Sequence, residues 1–92
     1  MALLSEREIE ERLAELPGWR RVGTAIEKRF ERGDFAGSVR FVADLLEPAE
    51  EMNHHPDVAI SWDTVTVSVS THSEGGLTAA DFELAAKIDA LA

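Results

Sequence analysis

Between Val58 and Val69 the chain carries two runs of strictly alternating residues, and no other feature limits the possible folds as strongly. Val58, Ile60 and Trp62 alternate with Ala59 and Ser61; beyond Asp63-Thr64, Val65, Val67 and Val69 alternate with Thr66, Ser68 and Ser70. A side-chain period of two places each apolar set on one face of an extended strand. The segment therefore reads as a β-hairpin turning at Asp63-Thr64. A lone hairpin is marginal in water, so other elements must cover its apolar face.

Those elements are legible on both sides. Trp19 to Val22 and Ile26 to Phe30 are short strand segments flanking Gly23-Thr24, which suits a first hairpin. Ser5 with Glu8 forms a capping box, Leu4 with Ile9 a hydrophobic staple, and Ile9, Leu13 and Leu16 recur at helical spacing, predicting a first helix from about Ser5 to about Leu16. Pro17-Gly18 stops it. From Asp34, a predicted N-cap, Phe35, Val39, Val42, Leu46 and Ala49 trace one apolar face of a long central helix running toward His54. Pro48 inside that helix removes one backbone hydrogen bond at a cost of about 3 kcal/mol, so a bend is expected between Asp44 and Pro48. After Gly75-Gly76, Thr78 and Asp81 repeat the capping box and Leu77 and Phe82 the staple. Phe82, Ala85, Ile88 and Leu91 then mark a last helix. The order αββαββα predicts an α+β fold, a four-stranded antiparallel sheet with helices packed on one face.

With 92 residues, one domain spanning 1–92 is expected. The chain has no cysteine, so neither disulfides nor thiolate zinc sites support this small core, and strand edges need protection. A homo-oligomer is the expected solution. A formal net charge of −9 argues against direct binding to nucleic acid, because contact with a phosphate backbone depends on Lys and Arg displacing counterions. The opening MALLSEREIEE has no basic segment and no long apolar run, and no stretch approaches membrane-spanning length. A cytoplasmic protein without a membrane association is expected, in keeping with the lack of cysteine.

Three histidines stand at element ends, where functional groups collect: His54 and His55 before Pro56, and His72 just past the last strand. A histidine at a helix C-terminus also simply complements the helix dipole. Glu50 lies four residues before His54, close enough on one helical face to orient its imidazole or to make an ordinary exposed pair. Asp81 is explained as a helix cap, yet a carboxylate there would also lie near the loop carrying His72.

The stretch EEMNHHPDVAISWDTVTVSVSTHSEGGLTAADFELAAKID closely resembles the signature region of the pterin-4a-carbinolamine dehydratase family. The shared features are His54-His55-Pro56, the hairpin, Thr71-His72 followed by Gly75-Gly76-Leu77-Thr78, and Asp81 nine residues after His72. The N-terminal half matches mainly in element order and in Gly18-Trp19. The resemblance implies an active site of His54, His55, His72 and Asp81, supported by Glu50, with Trp62, Ser70 and Thr71 contacting substrate. Trp62 stands where the family often has another aromatic. The implied reaction is loss of water from a 4a-hydroxytetrahydropterin to give quinonoid dihydropterin, in tetrahydropterin recycling.

Such a lyase needs two proton transfers, from N5 of the pterin and to the departing C4a hydroxyl. Histidine serves both, since its unperturbed pKa of roughly 6.5 leaves both protonation states populated near neutrality. His54 and His72 are the expected proton-transfer pair, with His55 holding substrate or sharing the acid role. Glu50 is expected to orient His54, and Asp81 to orient His72, to cap the last helix, or both. The resemblance implies no cofactor and no metal, a pterin as substrate, a homodimer or homotetramer, and coupling to an aromatic amino acid hydroxylase upstream. Two alternatives remain open: a metal site built from the three histidines, and a non-catalytic dimerisation or assembly protein of the same family.

Overall fold

The computed structural model describes residues 2–92, and in it both hairpins join one sheet. β1 (Arg20–Val22) and β2 (Ala25–Glu31) enclose Gly23-Thr24; β3 (Asp57–Ser61) and β4 (Thr64–Val69) form the second hairpin. The strand order is β1-β2-β4-β3 and every pairing is antiparallel. Ser61 pairs with Thr64, so the second turn is Trp62-Asp63, one residue earlier than the alternation suggested. Trp62 takes the left-handed φ of 51° that closing so short a turn requires.

Register decides which face is buried. Ile26 pairs with Val69, Lys28 with Val67 and Phe30 with Val65, so this face of the two central strands is apolar except for Lys28, whose ammonium reaches Asp89. Those valines are fully buried, whereas the Thr64, Thr66 and Ser68 side of β4 is only half-buried. The helices thus cover a single face. α4 (Ala79–Leu91) lays Leu84, Ala85 and Ile88 into this core. Burying each large aliphatic side chain contributes about 1.5–3 kcal/mol. Phe30 is gripped between Trp19, edge-on with ring centroids 6.1 Å apart, and Phe41 at 4.8 Å. Asp89 accepts hydrogen bonds from Trp19 Nε1 at 3.0 Å and Lys28 Nζ at 2.9 Å, tying α4 to the first hairpin.

α1 (Glu6–Leu13) begins with the expected capping box: the Ser5 hydroxyl accepts from the Glu8 N–H, and the Glu8 carboxyl accepts from the Ser5 N–H at 2.9 Å. The Ser5 N–H, and after it the Ser5 hydroxyl, hold the Glu8 carboxyl below its usual range. The helix ends before the expected Leu16, because Pro17 disfavours helical geometry at the residue ahead of it. The last turn tightens instead, with Glu15 bonding to Arg12 and Leu16 to Leu13.

The central helix is two helices, α2 (Phe35–Asp44) and α3 (Leu46–Met52), meeting at Leu45. Asp34 caps the first by accepting the Gly37 N–H at 2.6 Å. The break falls inside the expected window and explains how Pro48 is tolerated. It becomes the third residue of α3, where a helix N–H has no intrahelical partner to lose. The buried face departs from expectation. Ser38, Phe41, Leu45 and Ala49 face the core, while Phe35, Val39 and Leu46 are exposed. Two apolar stripes overlap on this helix, and the buried one passes through Ser38, whose hydroxyl is satisfied by donating to the Trp62 carbonyl at 2.7 Å. No helix among the described residues is long and apolar enough to cross a membrane.

Candidate active site

The end of α3 determines where the first two histidines go. Asn53 adopts φ 48°, ψ 45°, a left-handed conformation that asparagine tolerates better than other residues with a Cβ. Its N–H bonds to the Glu50 carbonyl at 3.2 Å and the His54 N–H to the Ala49 carbonyl at 3.0 Å, the paired bonds of a Schellman helix end. Helical phase is lost at Asn53, so Glu50 and His54 do not share a face. Glu50 instead meets His55, Oε2 to Nε2 at 2.5 Å, which corrects the expected Glu50–His54 pair.

His54 is oriented by Asp81, across 27 residues of sequence, with Nε2 2.6 Å from Oδ1. Asp81 was expected to orient His72, to cap the last helix, or both; it caps the helix, and the imidazole it orients is His54 rather than His72. The Asp81 carboxylate is fully buried and divides its work between its oxygens. Oδ2 accepts the Thr78 N–H at 2.8 Å, completing the capping box of α4, and the Thr71 hydroxyl at 2.8 Å. Oδ1 is thereby turned to His54. Capping and orientation are done by one side chain.

A cavity of about 350 Å³ opens beside this pair, lined by Asn53, His54, Thr71, Ser73, Glu74 and Glu83 among others. The His54 side chain is 15% exposed, buried enough to be held and open enough to exchange a proton. His72 starts a 3₁₀ turn, His72–Glu74, between two cavity-lining residues; its side chain is 76% exposed, and its Nε2 lies 3.8 Å from Asp57 Oδ2, too far for a hydrogen bond. His55 borders a different hollow of about 170 Å³ with Leu46, Pro56 and Val58. Among the described residues no group of three or more His, Asp or Glu side chains is placed to hold a metal ion.

Ser70 follows β4 directly and leads into Thr71, whose hydroxyl is taken up by Asp81 and Thr78. Trp62 is not brought to this cavity. It sits 69% exposed at the turn of the second hairpin, at the opposite end of β3 from Asp57 and His54. The sequence reading passed over Asn53, although an Asn just after the last helical residue is a recognised helix-stop signal. It also missed Glu74 and Glu83, which carry no local signal and reach the cavity only through the tertiary fold.

Residues 2–91 match the family model described as Pterin 4 alpha carbinolamine dehydratase. The chain belongs to this family. A relative from Thermosynechococcus vestitus is 51% identical over 97% of this chain and 94% of its own length; one from Roseiflexus castenholzii is 51% identical over 96% and 95%. Both carry the name "Putative pterin-4-alpha-carbinolamine dehydratase". Among solved structures, a transcriptional coactivator/pterin dehydratase from Brucella melitensis superposes with a TM-score of 0.94 at 36% identity, covering 99% of both chains. A pterin dehydratase-like protein identified as a RuBisCO assembly factor in the alpha-carboxysome superposes with a TM-score of 0.63 at 26% identity, covering 79% of this chain and 84% of that one. The family model and the Brucella melitensis structure each match nearly the whole chain.

Proposed function

We propose that the chain eliminates water from a 4a-hydroxytetrahydropterin, yielding quinonoid dihydropterin, by histidine general acid and base catalysis. The observation that carries this reading is the His54 ring, fixed on a buried carboxylate at the wall of a cavity of about 350 Å³. That volume falls in the range of small-molecule sites. In the elimination the C4a–O bond breaks, the departing hydroxyl takes up a proton to leave as water, and N5 gives up its proton. With Nε2–H donated to Asp81, Nδ1 is the ring nitrogen of His54 left to exchange a proton with substrate. His72, exposed on the adjoining turn, is its partner in the two proton transfers. Each well-placed acid or base is worth about 10²- to 10⁴-fold in rate. His55, held by Glu50, binds substrate or shares the acid role.

The scheme uses no metal and no cofactor. The donor and acceptor edge of the pterin is matched by main-chain groups beside Ser70, where β4 gives way to the turn, since the Thr71 N–H and carbonyl are taken up by Gly76 and Glu74, and Trp62 is left out of the site. An aromatic amino acid hydroxylase is the upstream reaction that would supply the substrate. A homodimer or homotetramer completes the proposal. β3 is an edge strand exposed throughout, with Val58 and Ile60 partly uncovered, and Phe35, Val39 and Leu46 form an apolar stripe on α2 and α3.

The second reading, a non-catalytic assembly protein, draws on the neighbour named as a RuBisCO assembly factor. One assay separates the two. A chemically generated 4a-hydroxytetrahydropterin should lose water faster with the protein than in buffer, with a rate that saturates in substrate. A rate equal to that in buffer at micromolar protein would refute catalysis.

A further inference from the structure

The Asp81 carboxylate is not held by its own helix alone. Thr71, which lines the cavity, donates its hydroxyl to Asp81 Oδ2 at 2.8 Å and is itself 2.8 Å from the Thr78 hydroxyl. Thr78 Oγ1 accepts the Ala80 N–H at 3.3 Å as the α4 cap. The Thr78 and Thr71 hydroxyls, Asp81 and His54 thus form one connected network, in which the two hydroxyls touch, Thr71 donates to Asp81 Oδ2 and Asp81 Oδ1 faces His54 Nε2.

We propose that Thr71 and Thr78 are positioning residues for His54, acting through Asp81. Their hydroxyls and the Thr78 N–H fix the plane of the carboxylate so that Oδ1 stays aimed at the imidazole. Without the Thr71 hydroxyl, Oδ2 keeps a single donor, the Thr78 N–H, and the carboxylate is held less tightly about its last torsion. The link also couples three elements that are distant in sequence, the end of α3, the segment after β4 and the start of α4. All of its members except His54 are buried, where a satisfied network is stiff and an incomplete one is costly. Thr71 is well suited to this part because its backbone is pinned independently, by a bridge to Gly76 with Thr71 N–H donating at 2.9 Å. Removing the hydroxyl alone leaves that bridge in place.

This inference rests on the proposed dehydration for its kinetic readout but not for its spectroscopic one. Thr71→Val keeps the shape and removes the hydroxyl; Thr71→Ser keeps the hydroxyl and removes the methyl. Nitrogen-15 and proton NMR of the His54 ring should show, in the wild type, a protected Nε2–H signal characteristic of a hydrogen bond to carboxylate. That signal should broaden or vanish in T71V and return in T71S. With chemically generated 4a-hydroxytetrahydropterin, T71V should lose roughly 10- to 100-fold in kcat, the worth of a hydrogen bond to a charged group, with KM changed much less, and T71S should recover most of it. If T71V is folded and both the ring signal and kcat match the wild type, the inference is overturned. If the wild type does not dehydrate the substrate, the functional reading fails while the ring signal still decides this one. Should T71V not fold, the wild type suffices: a slowly exchanging Thr71 hydroxyl proton supports the chain, and one exchanging at the solvent rate overturns it.

Discussion

Replacing Asp81 by Asn should separate the two duties of the carboxylate, because an amide has one accepting oxygen where the carboxylate uses two. In the native site Oδ2 accepts from the Thr78 N–H and the Thr71 hydroxyl, while Oδ1 faces His54 Nε2 at 2.6 Å. The Thr78 N–H cannot reverse its polarity, so the amide oxygen must take the Oδ2 place and the NH₂ group must face His54. The imidazole then has to accept at Nε2 and carry its proton on Nδ1, the nitrogen proposed to serve the substrate. Cap and threonine contacts survive in neutral form, so the stability lost is about 1–2 kcal/mol, the difference between a charge-assisted and an ordinary hydrogen bond. At about 4–8 °C per kcal/mol for a domain of this size, Tm should fall by roughly 4–16 °C. Asp81→Ala instead strips the acceptor from two buried donors and leaves a void, at a cost of about 3–5 kcal/mol. Both variants should lose roughly 10²- to 10⁴-fold in dehydration rate, since His54 is mis-set in either. Thermal unfolding, initial rates and the His54 ring signals, measured side by side, give the comparison. An Asp81→Asn protein that is folded and nearly as fast as wild type would refute the claim that Asp81 sets the His54 proton. Equal destabilisation by Asn and Ala would refute the amide placement.

Three further outcomes follow from local geometry. At Asn53, φ 48° makes Val strained by about 1–2 kcal/mol or more while Gly is neutral or mildly stabilising; denaturant unfolding of Asn53→Val and Asn53→Gly should show that order, and equal stability would contradict it. Gly37→Ala puts a Cβ 2.5 Å from the Arg32 carbonyl oxygen, so a change that ordinarily adds up to about 1 kcal/mol of helix stability should instead cost about 1–3 kcal/mol. An unchanged or raised Tm would show that the backbone gives way freely. Sedimentation at micromolar protein should yield a dimer or tetramer, and a monomer alone would refute the assembly proposed for the exposed β3 edge and the α2 stripe.

What could be read from sequence was local. The second hairpin declared itself because Val65, Val67 and Val69 repeat at period two, and both capping boxes because their partners stand three residues apart. The central helix misled at Ser38, a polar residue whose burial depends on the Trp62 carbonyl 24 residues away. The histidine pairings misled for a related reason. Glu50 and His54 have the right spacing for a helix, but the helix stops at Met52, and the left-handed Asn53 passes the glutamate's partner on to His55. Asp81 was visible as a cap, while its bond to His54 is tertiary and leaves no periodic trace. Candidate residues were thus legible in the sequence, whereas which carboxylate serves which imidazole was set by where one helix ends.

The most direct test of the central claim is the rate at which His54→Ala dehydrates a chemically generated 4a-hydroxytetrahydropterin, beside the wild type, His72→Ala and the double variant. Each single variant should fold, bind pterin with little change, and lose roughly 10²- to 10⁴-fold in rate, and the double loss should be smaller than the product of the single losses because the two groups act in one elimination. Folded single variants that bind pterin and dehydrate it at near wild-type rates would mean that the histidines are structural and that the proposed chemistry is wrong.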